Sequence, residues 1–115
     1  MVTGGVTRRA TAERVVETAG VEMVGVARAL AVHPDLPSAW ARGEDPVVEL
    51  HLPQWRNRGL ASLAGMSMAK RNLDRLGKGK AADPKPGAVE SLLRDQWQKA
   101  WKTRRYRRWV EELGV

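Results

Sequence analysis

The sequence predicts an α/β fold that is mostly helical by residue count. Two observations carry that reading. First, two short apolar segments, Val2-Thr3-Gly4-Gly5-Val6-Thr7 and Met23-Val24-Gly25-Val26-Ala27-Arg28-Ala29-Leu30, each read as a strand entering a glycine-containing turn. Second, the stretch between them has helical periodicity, so the order is strand, helix, strand with loops of a few residues. That unit implies a parallel strand pair and a right-handed crossover.

The elements follow in order. Met1 to Val6 is the end of a strand entering the Gly4-Gly5 turn. Thr11 is the predicted N-cap of a helix through Ala19, with Ala12, Val15, Val16 and Ala19 on one face and Gly20 as the stop. Met23 to Val26 is apolar on both faces, the pattern of a parallel strand covered by helices. Pro34 and Pro37 bracket the start of a short helix, with Asp35 as its cap and Gly43 as its stop. Pro46 to Pro53 is predicted as an extended connection. A helix from Leu60 to Leu76 is expected to bury Met66, Ala69, Leu73 and Leu76. Gly77 to Gly87 has linker composition and is expected to be mobile and exposed. A last helix covers Val89 to Leu113. The organisation is therefore residues 1–76, a linker at 77–87 and a basic helix at 88–115.

The last helix has two apolar stripes. At about 100° per residue, Val89, Leu93, Trp97, Ala100 and Trp101 share one face, and Tyr106, Trp109, Val110 and Leu113 lie roughly opposite. One straight helix on one core cannot bury both. A kink near Thr103, or a second partner, is expected.

Composition narrows the classes. A length of 115 residues allows one domain at most and is enough to bury a core. The longest apolar region, Val21 to Val32, is broken by Glu22 and Arg28, too short for a membrane span. No secretory signal pattern opens the chain. The absence of cysteine excludes disulfides, thiolate catalysis and thiolate zinc sites, and fits a cytoplasmic protein. The net charge of +7 is concentrated between Arg94 and Arg108, where seven basic residues face the single acid Asp95.

The chemistry is expected at the two strand ends. Gly4 and Gly5 lack Cβ atoms, so the backbone there can approach an anion closely. A helix N-terminus near Arg8 to Ala12 would add free amide donors. Gly25 and Ala27 keep the second turn small, and Arg28 can give a bidentate contact to phosphate oxygens.

Val-Thr-Gly-Gly, a helix, then Met-Val-Gly-Val-Ala-Arg-Ala-Leu-Ala-Val-His-Pro-Asp-Leu-Pro closely resembles the C-terminal end of the old yellow enzyme-like NADH:flavin oxidoreductases. These are FMN-dependent (β/α)8 TIM barrels. The resemblance is strongest over residues 2–43. It implies that the chain is the C-terminal fragment of such a barrel, its last two strands and helices with a helical extension. A barrel of that kind needs about 250 residues, so the N-terminal barrel part would be supplied by sequence upstream. By the resemblance, Gly4, Gly5, Ala27 and Arg28 match positions that hold the FMN phosphate, and Gly25 matches the family's preceding glycine. Ala27 stands where glycine is more usual, and Thr7 where an arginine often follows the Gly-Gly turn; Arg8 and Arg9 are the candidates to replace that charge. In the family, NADH or NADPH reduces the flavin, and the substrate-anchoring residues precede these strands. The chain itself is then expected to carry no catalytic residue and to be inactive alone.

The remaining polar groups point to structural roles. His33 reads as a capping or exposed residue, and His51, among Leu50, Leu52 and Trp55, as partly buried packing. Glu44-Asp45 and Glu111-Glu112 read as solvated surface, and Met66 and Met68 as core filler. The basic aromatic helix suits packing by its tryptophans, with arginines in water or over the rings. Packing is the preferred reading and nucleic acid is not the expected partner; the alternative function is a small helical module that uses this helix to bind nucleic acid or an acidic protein partner. A remnant of a truncated gene is a third reading.

Overall fold

The computed structural model describes residues 1–114, apart from the Ala19 side chain. The expected place of Ala19 on the apolar face of its helix therefore lies outside the described residues. The chain runs β1 (Val2–Thr3), α1 (Arg9–Ala19), β2 (Val24–Gly25), α2 (Arg28–Val32), α3 (Leu36–Ala41), α4 (Arg58–Gly77) and α5 (Ala88–Glu112). Helices hold 58% of the residues against two strands of two residues, so the chain is mostly helical with a small parallel sheet. It divides into two compact units. One contains Met1–His51 and Asn72–Lys85; the other contains Leu52–Arg71 and the residues from Pro86 onward.

In the first unit β1 and β2 pair in parallel, with Val2 opposite Val24 and Thr3 opposite Gly25. The Val2 amide donates to the Met23 carbonyl at 3.1 Å. The strands are not buried on both faces as the apolar pattern predicts. Val2, Thr3 and Met23 are exposed, because a two-stranded ribbon has no second layer to cover it. Helix α1 begins at Arg9, ahead of the predicted cap. Thr11 lies inside its first turn, and the Arg9 amide donates instead to Asp45 Oδ1 at 2.9 Å. Gly20 ends the helix in the left-handed region, at φ 59°.

Helix α2 has no strong sequence signal. It stops at His33, whose φ of −131° and ψ of 85° lie outside the helical region that a residue before proline disfavours. Helix α3 starts as expected after Asp35 with Pro37 in its first turn, although the Asp35 side chain caps nothing. Its end is closed by the Glu44 amide donating to Ala39 O at 2.9 Å, with Gly43 at φ 85°. Ala29 and Leu36 form the core here, and Val48 from the extended 44–57 segment covers them, with Val26, Leu30, Val32, Trp40 and Leu50 around the edge.

The Gly77–Gly87 segment is less free than its composition suggests. Asn72, only 1% exposed, donates from Nδ2 to Asp83 O at 2.8 Å and accepts the Asp83 amide on Oδ1 at 2.9 Å. Arg75 Nε donates to Ala81 O at 2.9 Å, which ties down the intervening turn.

In the second unit, Asn57 caps α4 by accepting the Leu60 amide on Oδ1 at 3.1 Å, so the helix starts ahead of Leu60. The buried positions of this helix are Ala64, Gly65, Ser67, Met68 and Asn72. The predicted stripe is thus rotated: Met66 and Leu73 are exposed. The reason is polar. Asp95 on α5 accepts Lys99 Nζ at 2.7 Å, Lys70 Nζ at 3.3 Å and Ser67 Oγ at 3.3 Å. Arg71 pairs with Glu90 at 2.9 Å. Hydrogen bonds from Lys99, then desolvation against them and the Lys70 bond, leave the Asp95 carboxyl below its ordinary range. Helix α5 is continuous through Thr103, and neither of its apolar stripes is covered by the described residues. The seam with α4 uses Ser91 and Asp95 instead.

Candidate functional site

Parallel pairing brings the C-terminal ends of β1 and β2 side by side, so the two following turns converge. Between them lies a hollow of about 60 Å³. All five residues singled out from the sequence, Gly4, Gly5, Gly25, Ala27 and Arg28, line it. Thr7, Val6 and Leu50 also border it.

Each lining residue is there for a different reason. Gly4 and Gly5 have φ of 104° and 68°, and a Cβ on either would meet no heavy atom within 4 Å. Their constraint is backbone conformation, which L side chains resist. Gly25 is constrained by space: a Cβ there would fall on Thr3 Cγ2, its cross-strand neighbour. Ala27 is the N-cap of α2, and its carbonyl accepts the Leu30 amide at 3.1 Å. Arg28 is the first residue of α2 and is exposed, with no hydrogen bond or ion pair among the described residues. It is not a salt-bridging surface arginine.

The first turn departs from expectation. The N-terminus of α1 does not offer all its amides, because Asp45 already accepts from Arg9 N. The Arg9 side chain is engaged with Glu13 at 2.7 Å. Of the two arginines that could stand in for the missing charge after the Gly-Gly turn, only Arg8 is uncommitted among the described residues.

The residues fit one part of FMN. A free guanidinium and close-approach glycine backbone suit a phosphate group. The volume suits that group too, and falls well short of the roughly 300–1,000 Å³ of a small-molecule pocket. The donor set therefore fits the phosphate and has no room for the isoalloxazine ring.

Other expectations change in detail. His33 is neither exposed nor a side-chain cap: it is half-buried, its backbone N–H closes α2 on Ala29 O at 2.8 Å, and its ring Nδ1 is buried without a hydrogen-bond partner among the described residues. His51 is exposed rather than packed, 3.7 Å from Glu49. Glu44 pairs with Arg42 at 2.8 Å, while its neighbour Asp45 caps α1 and is more than solvated surface. Of the two methionines, Met68 is buried and Met66 is not. Sequence reasoning missed Asp45 and Leu50, since nothing local links them to turns some 20 to 40 residues earlier. No three His, Asp or Glu side chains gather as metal ligands, and no helix is long and apolar enough to cross a membrane, among the described residues. No family model, curated protein or solved structure matches this chain.

Proposed function

We propose that this chain is the C-terminal portion of an FMN-dependent NAD(P)H:flavin oxidoreductase of the old yellow enzyme-like type. In this reading β1 and β2 are the last two strands of a (β/α)8 barrel, and their turns grip the FMN phosphate. The observation that carries it is the convergence of Gly4, Gly5, Gly25, Ala27 and an unpaired Arg28 around one phosphate-sized hollow. The residues were singled out from a pattern that spans some two dozen positions, and the strand pairing brings them together.

Bound flavin would supply hydride transfer between a nicotinamide and an acceptor. The chain's own task is binding. Arg28 donates two parallel charge-assisted hydrogen bonds, and the glycine turn lets backbone amides approach the same anion. In this reading the residues that orient the acceptor lie upstream of β1, and the chain is inactive alone. A cytoplasmic setting goes with this reading.

The test is a titration of the full chain with FMN and with riboflavin, which lacks the phosphate. FMN is expected to bind more tightly, and Arg28→Ala to remove about 10- to 100-fold of that preference, the size of a charged hydrogen bond. Equal affinity for the two flavins, or a preference that survives Arg28→Ala, overturns the proposal.

A further inference from the structure

Helix α5 carries a second, separate feature. Trp97, Trp101, Arg104, Arg105 and Arg108 recur at spacings of three and four, within an arc of about 100° on the helix. The row rises about 1.5 Å per residue, so it extends over three turns. It lies away from the Ser91–Asp95 seam that contacts α4. Trp97 is 70% exposed and Trp101 is 54% exposed. The guanidinium of Arg105 sits over the Trp101 ring, 5.7 Å from its centroid. That cation lies over the indole without burying it. Trp101, Arg104, Arg105 and Arg108 form one continuous patch on the open surface of the helix.

The charges in this row are unspent. Lys102, Arg104, Arg105, Arg107 and Arg108 have no ion pair among the described residues. Of the acids on this helix, Asp95 is already held by Lys70 and Lys99, and Glu111 and Glu112, one turn beyond Arg107 and Arg108, form no ion pair with them among the described residues. A folded chain that keeps five neighbouring cations unpaired beside exposed indoles leaves both a charge and a stacking surface unused.

We infer that this face of α5 binds single-stranded nucleic acid, with arginines on consecutive phosphates and the open indole faces stacked on bases. Charge complementarity requires a polyanion. The interleaving selects which one. A helix that lies in an anionic membrane segregates its aromatic residues from its charges along its length, whereas here Trp97 and Trp101 share a stripe with Arg104, Arg105 and Arg108, and only Tyr106, Trp109, Val110 and Leu113 lie on the other side. Protein–protein interfaces also enrich tryptophan and arginine but keep their cores poor in net charge, and here three arginines without an ion pair among the described residues share the row with the two tryptophans. Stacking requires bases out of a duplex, which single strands provide. This inference does not depend on FMN binding; the two use different residues in different units.

The experiment is fluorescence anisotropy of a short labelled oligouridylate titrated with the full chain. Binding is expected to weaken as salt rises from about 50 to about 200 mM, with log K falling by about 0.7 per log unit of salt for each phosphate neutralised. Replacing Arg104, Arg105 and Arg108 by glutamine is expected to reduce that slope by about two. Trp101→Ala is expected to weaken binding about tenfold at unchanged slope, the loss of one stacked base. Trp101→Phe keeps a stacking face and is expected to retain most of the affinity, and far-UV circular dichroism checks that both variants stay helical. Several results overturn the inference: no binding, binding indifferent to Trp101→Ala, equal affinity for duplex DNA, or tighter binding to phosphatidylserine vesicles or polyglutamate.

Discussion

Asn72 and Asp83, eleven residues apart, are joined by a reciprocal pair of hydrogen bonds, side-chain amide to main chain, at 2.8 and 2.9 Å. The primary amide has one donor and one acceptor side by side, so it pairs with a backbone as another strand would. That one side chain decides that the glycine-rich turn after α4 folds back on the helix.

Asn72→Ala removes both bonds at a buried position and leaves the Asp83 groups unpaired. The loss expected is about 1–3 kcal/mol of stability. Urea unfolding measures it, and the Asp83 amide is expected to lose its protection from hydrogen exchange. Unchanged protection at Asp83 would show that the clasp does not hold the turn.

Asp95 gives the chain a specific acid sensitivity. Its folded pKa is lowered, chiefly by the Lys99 bond. The associated stabilisation is therefore complete above the ordinary carboxylate pKa and is lost as pH falls through the lower folded value. Asp95→Asn is expected to be less stable than wild type at neutral pH and to lose less on acidification. Melting both proteins across the acid range checks the sign.

Gly25→Ala puts a methyl group on Thr3 Cγ2. Overpacking of this kind costs about 1–3 kcal/mol, and the pairing reported by the Val2 amide is expected to open first. Thr3→Ser removes the obstructing methyl, so the double variant is expected to recover most of the loss. A double-mutant cycle with no coupling would place the defect elsewhere.

Arg28→Ala separates binding from folding. An exposed side chain without a partner contributes little, so stability is expected to change by no more than about 0.5 kcal/mol. A larger loss in a thermal melt would make Arg28 structural and weaken the case for an anion ligand.

The strand–helix–strand order was legible because its signals are local: an apolar run, a glycine stop, a helical period. Gly4 and Gly5 were legible for the same reason, as positive φ leaves its mark in the sequence. The face of α4 was not. Hydrophobic periodicity selects Met66 and Leu73, whereas the position of Asp95 selects Ser67 and Lys70, and the distance between those residues in sequence hides the choice. The two stripes on α5 were read correctly as incompatible with one core, but the resolution was neither a kink nor a partner within the described chain. Asp45 as the cap of α1 was beyond reach, since a cap borrowed from 36 residues away has no sequence signature.

The two-stranded sheet has a valence. Among the described residues each strand has one edge engaged and one without a strand partner, and because the pair is parallel those two outer edges are different surfaces. Unlike edges join head to tail, and such joining either grows without limit or closes on itself. Closure needs a tilt and stagger that bring the last strand beside the first. A barrel is the closed solution and a fibre the open one. The same pair of two-residue strands that positions the hollow therefore makes the solution behaviour of this chain a question of which neighbours saturate those edges.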